Sequence, residues 1–212
     1  MLTILYADQQ IAVCVKPAGV LSQDAGEQSM PQLLRKQLGV EYIGVVHRLD
    51  REVGGVMVYA LTPKAAASLS RALQEKKLEK VYQAVLNGIP AEPAAVLEDL
   101  LFHDKNRNKT FVVDRQRKGV KDASLEYEVL QSGSGRSLVR VRLHTGRTHQ
   151  IRVQFASRKL PLAGDGKYGG KQSDVPLCLW AWELSFPHPA TGRRMTFVQE
   201  PEWKELCMRW FL

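Results

Sequence analysis

At the start of the chain the hydrophobic positions fall in two β-rich runs, Ile4 to Tyr6 and Ile11 to Val15, on either side of the polar Asp8-Gln9-Gln10. This layout predicts a hairpin leading into the loop Lys16-Pro17-Ala18-Gly19. The period then lengthens. Met30 to Leu38 reads as a short helix, Val56 to Ala60 as a buried strand, and Thr62-Pro63 as an N-cap with proline in the first helical position. The helix after it, running to about Lys77, is expected to bury Ala66, Leu69 and Leu73. Strict alternation returns at Val81 to Leu86, with Tyr82, Ala84 and Leu86 on one face. Leu125, Tyr127 and Val129, then Val139, Val141 and Leu143, predict a second hairpin across Ser132-Gly133-Ser134-Gly135, with Arg140 and Arg142 making a basic outer face. Thr148 to Arg158 reads as a helix, Leu177 to Phe186 and Met195 to Val198 as strands, and Pro201 to Leu212 as a closing helix that buries Trp203, Leu206 and Trp210. Ile89 to Ala95, rich in proline and alanine, is the expected boundary if the chain forms two lobes. Hairpins with few helices argue for the α+β class and a largely antiparallel sheet.

Length and composition suit a globular enzyme of one domain or two closely packed lobes: 212 residues, 44% apolar and 25% charged. The net charge of +8 favours a polyanionic partner. Cys14, Cys178 and Cys207 are odd in number and far apart, with no Cys-x-x-Cys spacing, so neither a disulfide framework nor a zinc site is readable, and a reducing cytosol fits. No apolar run approaches the ~20 residues of a membrane helix, and the N-terminus has no signal-peptide pattern. His144 and His149, five residues apart across a turn, lack the spacing of two metal ligands on one helix face.

Two stretches carry candidate chemistry. VVHRLDREVGG, Val45 to Gly55, sets one carboxylate, Asp50, between Arg48 and Arg51, after an apolar run and before a glycine pair. A solvated turn has the same appearance, so other residues must support the acid. HTGRTHQIRVQFASRK, His144 to Lys159, brings Arg147 to a helix start and continues with Arg152, Arg158 and Lys159. A helix N-terminus with arginines suits phosphates, and a solvated basic helix is the competing reading.

Three segments in order, HRLD-x-x-x-G-G before a strand, Lys80-Val-Tyr82-Gln-Ala84-Val-Leu-Asn-Gly88, and TGRTHQIR followed by PLAGDGKYG, resemble the RluA-type family of RNA pseudouridine synthases. The likeness extends to both ends, through ILYADQQIAVCVKPAGVLS and ELSFPHPATGRRMTF. Three positions depart from the family pattern. Gly54 stands where Ser is common, and Gln154 and Trp180 stand where histidines are common.

The resemblance implies a bent mixed sheet in two halves, with a few flanking helices, a central active-site cleft and Asp50 on a loop at its floor. It implies a single catalytic domain over residues 1–212, with no separate N-terminal RNA-binding domain, acting as a cytoplasmic monomer without metal or cofactor. The partner would be ribosomal or transfer RNA. Asp50 would act as nucleophile at ribose C1′ or as a base on a neighbouring sugar proton, Tyr82 would face the uracil and move the C5 proton, and Arg147 would supply the cation that favours the charged form of Asp50. Arg48 would fill the gap left by the flipped nucleotide, and Lys16, Lys80, His149 and Arg152 would contact RNA. Two other functions compete. A non-catalytic RNA-binding module would keep the basic face and need no acid, and a glycoside hydrolase would have to pair Asp50 with Glu52.

Overall fold

The computed structural model describes residues 1–26, 28–169 and 175–211. In chain order the elements are β1 (Ile4–Ala7), β2 (Ile11–Lys16), α1 (Met30–Leu38), β3 (Gly44–Val45), β4 (Gly54–Ala60), α2 (Pro63–Gln74), β5 (Glu79–Asn87), β6 (Ala94–Asp104), β7 (Lys109–Val113), β8 (Val120–Gly133), β9 (Arg136–Leu143), α3 (Gln150–Ser157), β10 (Leu179–Pro187), β11 (Arg194–Val198) and α4 (Lys204–Met208). The strands are paired in a mixed, largely antiparallel manner, and the helices are few and short. The chain divides into two compact units, Met1–Lys80 with Trp180–Pro201, and Val81–Leu179 with Glu202–Leu212. The division falls at Lys80/Val81, earlier than the proline-rich stretch suggested, because residues 89–95 lead directly into β6 and its pairing with β8.

In the first unit the strand order is β1-β2-β4-β10, with β11 on β10 and β3 on β4. Asp8 closes the β1–β2 turn by accepting from Gln10 N (2.7 Å) and Ile11 N (2.8 Å), which is why three polar residues suffice for the reversal. β2 and β4 are buried along their whole length, so both read as continuous apolar runs. Their core joins Ile11, Val13, Val56, Val58, Leu184 and Phe186 to Ala65 and Leu69 of α2. Thr62 caps α2 as expected, its hydroxyl accepting from Ala65 N at 3.1 Å. The buried stripe of α2 is Ala65, Leu69 and Ala72, with Ala66 and Leu73 half-buried at its flank.

The second unit has the order β5-β9-β8-β6-β7, antiparallel in its register, with α3 against it. The β6–β7 hairpin had no clear alternation in sequence. α3 is buried from Gln150 to Phe155, which explains its weak amphipathic pattern. The expected basic outer face of β8–β9 is corrected. Arg140 pairs with Glu128 (2.7 Å) and Arg142 with Glu126 (3.1 Å), so cross-strand carboxylates neutralise it. The closing helix is also shorter than expected. Trp203 and Cys207 are buried one helical turn apart, Leu206 is exposed, and Trp210 lies under the Arg136 guanidinium at 4.0 Å. Cys207 Sγ sits 3.3 Å from Cys178 Sγ, on the inward face of α4.

Candidate active site

Asp50 belongs to the first unit and lies, half-buried, on the loop before β4. That loop is held to the loop after β2 by bonds from several directions. Ser22 Oγ donates to Leu49 O (2.9 Å) and accepts from Leu49 N (3.0 Å). Gly19 N donates to Arg51 O (2.8 Å), and Arg51 Nε donates back to Gly19 O (3.0 Å). The ammonium of Lys16 donates to Pro17 O (2.9 Å), Val20 O (2.7 Å) and Arg51 O (3.0 Å). Asp50 is thus carried on backbone fixed at the residues on both sides of it, the condition for a carboxylate presented in one geometry. Arg48 is exposed two residues earlier and donates to Gln23 Oε1 at 2.9 Å. His47, by contrast, is buried. Its Nε2 accepts from Val58 N (3.2 Å), and burial, with the nearby Lys80 ammonium, brings its pKa down to about 3.

Behind the loop two of the family departures meet. Trp180 lies opposite Gly54 in the parallel β10–β4 register, and a Cβ added at Gly54 would overlap Trp180 Cζ3. The indole fills the space that a serine side chain at position 54 would need. Trp180 Nε1 donates to Gln199 O at 2.9 Å. Gln154, the third departure, is buried and donates to Asp99 Oδ2 (2.7 Å).

Arg147 and Tyr82 belong to the second unit. Tyr82 is buried at 5% exposure on β5, opposite Val141 of β9. Arg147 sits half-buried in the turn between β9 and α3, where its Nε donates to Asp122 O at 2.8 Å. Gln150 ties this turn together. Its Oε1 accepts from Arg147 N (3.0 Å) and Thr145 Oγ1 (2.8 Å), and its Nε2 donates to Ser124 O (3.1 Å).

The candidate RNA contacts divide by burial. Arg48 is exposed and Lys80 half-buried, its ammonium pKa lowered by burial. Lys16 is corrected. At 0% exposure its charge is spent on backbone carbonyls, with no surface left for a phosphate. Arg152 is corrected for the same reason. It is 2% exposed and forms two bonds to Asp165, Nε–Oδ2 at 2.7 Å and Nη2–Oδ1 at 2.8 Å. His149 is buried too, its Nδ1 2.9 Å from the Tyr168 hydroxyl.

Exposed cations outside the sequence motifs lie along the edge strand β7 and its two connections. Lys105, Arg107, Arg115, Arg117, Lys118 and Lys121 are exposed, with Lys109 partly so. Arg117 stacks over Phe102 at 5.1 Å. Lys121 is next to Asp122, whose carbonyl anchors Arg147. The signal was present in sequence, since residues 104–121 hold seven Lys and Arg against two Asp. Among the described residues no group of three or more His, Cys, Asp or Glu is placed to hold a metal ion, and no helix is long and apolar enough to cross a membrane.

Residues 10–157 match the family described as RNA pseudouridylate synthase. The chain is 36% identical to an uncharacterised RNA pseudouridine synthase of Aquifex aeolicus, over 99% of this chain and 72% of that protein. It is 34% identical to ribosomal large subunit pseudouridine synthase D of Pseudomonas aeruginosa, over 92% of this chain and 66% of that protein, and 35% identical to the protein of that name from Neisseria meningitidis, of which it spans 57%. The human RNA pseudouridylate synthase domain containing 4 structure superposes with a TM-score of 0.83 at 24% identity, covering 99% of this chain and 92% of that one, and so shows the same fold. The chain therefore belongs to the RluA-type family of RNA pseudouridine synthases, which are isomerases acting on RNA. Membership removes both the glycoside hydrolase reading and the non-catalytic binding module.

Proposed function

We propose that this chain isomerises uridine to pseudouridine in the RNA of the large ribosomal subunit, with Asp50 as the reacting carboxylate. The C1′–N1 bond breaks, the freed uracil turns while bound, C1′ joins C5, and the proton lost from C5 is balanced by one gained at N1. No electron is gained or lost overall, so the reaction as written needs no redox cofactor. The observation that carries the assignment is the clamped loop around Asp50, in which Ser22 and Gly19 fix the backbone on both sides of the acid. The carboxylate attacks C1′ or removes a neighbouring sugar proton; both need it ionised and immobile. Tyr82 and Arg147 are the two further groups assigned to the reaction, and Arg48, exposed beside Asp50, is assigned the gap of the extracted nucleotide. The preference for ribosomal over transfer RNA is supported by the names of the Pseudomonas and Neisseria relatives. RNA affinity is assigned to Arg48, Lys80 and the exposed cations of residues 105–121.

Pseudouridine mapping in total RNA from cells lacking the gene, complemented with wild type or with Asp50→Asn, tests the reading. Wild type restores modification at a large-subunit position, and Asp50→Asn lowers turnover on that RNA by at least about 10³-fold while leaving binding within a few-fold. Restoration by Asp50→Asn overturns the role of the acid. Restoration in transfer RNA alone moves the substrate.

A further inference from the structure

His149 holds a left-handed backbone, φ 54°, although it carries a side chain. Such a conformation costs free energy and persists only where the surroundings enforce it. Here the enforcing contacts come from two distant segments. Thr110 Oγ1 donates to Thr148 O at 2.8 Å, and the Tyr168 hydroxyl lies 2.9 Å from His149 Nδ1. The two segments are also joined to each other, because Thr110 N donates to the Tyr168 hydroxyl at 2.8 Å. With the phenol oxygen accepting from that amide, its own proton is available to the imidazole.

Tyr168 is itself fixed. Asp165 Oδ1 accepts from Lys167 N and Tyr168 N, both at 3.0 Å, and the Asp165 carboxylate is held by Arg152. The Arg152 guanidinium and the Lys109 ammonium lie over the phenol ring at 5.4 and 5.2 Å. The GDGKYG segment thus reaches across to the two residues that follow Arg147. We propose that Tyr168 is a positioning residue for Arg147: acting through His149 and Thr110, its hydroxyl sets the backbone from which that guanidinium is presented. The proposal rests on the assignment of Arg147 to the reaction. It gives GDGKYG a task beyond folding, and it explains why Arg152 is internal, since its charge orients the turn that carries Tyr168.

The test is steady-state kinetics on an RNA oligonucleotide that holds the target uridine. Tyr168→Phe keeps the ring and removes the hydroxyl, and it lowers kcat by about ten- to a hundredfold while KM stays within about twofold. Thr110→Val, which loses the hydroxyl without loss of volume, falls in the same direction, and Thr110→Ser restores turnover. On an Arg147→Lys background Tyr168→Phe costs less than about threefold, because the group it positions is already gone. Equal losses on both backgrounds, with Arg147→Lys impaired, overturn the proposal and leave the reading of Arg147 intact. Wild-type turnover by Arg147→Lys overturns both. A rise in KM at constant kcat also overturns the proposal. If Tyr168→Phe fails to fold, the Thr110→Val and Thr110→Ser pair decides by the same kcat criterion.

Discussion

The Asp50 loop and the Arg147 turn are both irregular backbone, yet they are held in opposite ways. Around Asp50 the anchors are a buried ammonium and a serine hydroxyl from residues 16–22, bonded to main-chain groups of residues 49–51. Around Arg147 they are neutral side chains of the turn itself, Thr145 and Gln150, with partners from residues 110, 122, 124 and 168. A buried charge surrounded by carbonyls is costly to disturb, because removing it leaves several acceptors without water or partner. Neutral side-chain bonds contribute roughly 1 kcal/mol each and are broken singly. The Asp50 loop is accordingly a stiff part of its unit, and the Arg147 turn is set by many small contributions that a single substitution shifts without unfolding the chain.

Lys16→Met is the largest expected departure between the two regions. Pro17 O and Val20 O lose the Lys16 donor while Arg51 O keeps Gly19 N, so urea denaturation should show a loss of about 2–4 kcal/mol, above the effect of any one neutral bond at the Arg147 turn. Unchanged stability with weakened RNA binding would instead return Lys16 to the surface role that its sequence suggests.

Gly54→Ser tests the packing behind the Asp50 loop. The added side chain overlaps Trp180, and an overpacked site of this kind loses about 1–3 kcal/mol. In a Trp180→His background most of that penalty should vanish, leaving a coupling of about 1–2 kcal/mol in a double-mutant cycle. Additive losses would show that the two departures from the family pattern are independent.

The smallest effect concerns exposed charges on the β7–β8 connection and the start of β8. Arg115→Gln, Lys118→Gln and Lys121→Gln together should leave stability within about 0.5 kcal/mol. The slope of log affinity against log salt should become shallower by about 0.7–0.9 for each phosphate no longer neutralised. An unaltered slope would assign phosphate binding to Arg48 and Lys80 instead.

Much of the first unit was legible because its information is local. The β-rich runs of β1 and β2, a capping threonine before α2 and the Asp8 turn each fix structure through neighbours a few residues away. The HRLD, Lys80-x-Tyr82 and TGRTHQIR segments were equally legible as chemistry, since their residue types and order alone carry the family resemblance. The direction of a charge was not. Lys16 and Arg48 are both cations beside polar loops, yet one is fully buried and the other exposed, and the same division separates Arg152 from Arg117. Whether a long cationic side chain turns inward depends on carbonyls or carboxylates that folding brings to it from elsewhere. For Lys16 that includes Arg51 O, 35 residues on. For Arg152 it is Asp165, reached only when the GDGKYG turn meets α3. The pairing of Gly54 with Trp180 has the same character, because a glycine records nothing of the ring that occupies its space. The chain order of apolar residues and motifs determined the strands other than β3, β6 and β7, and the class of reaction. The tertiary structure decided which charges are buried and which face solvent, because desolvating a cation is favourable only where distant acceptors converge on it.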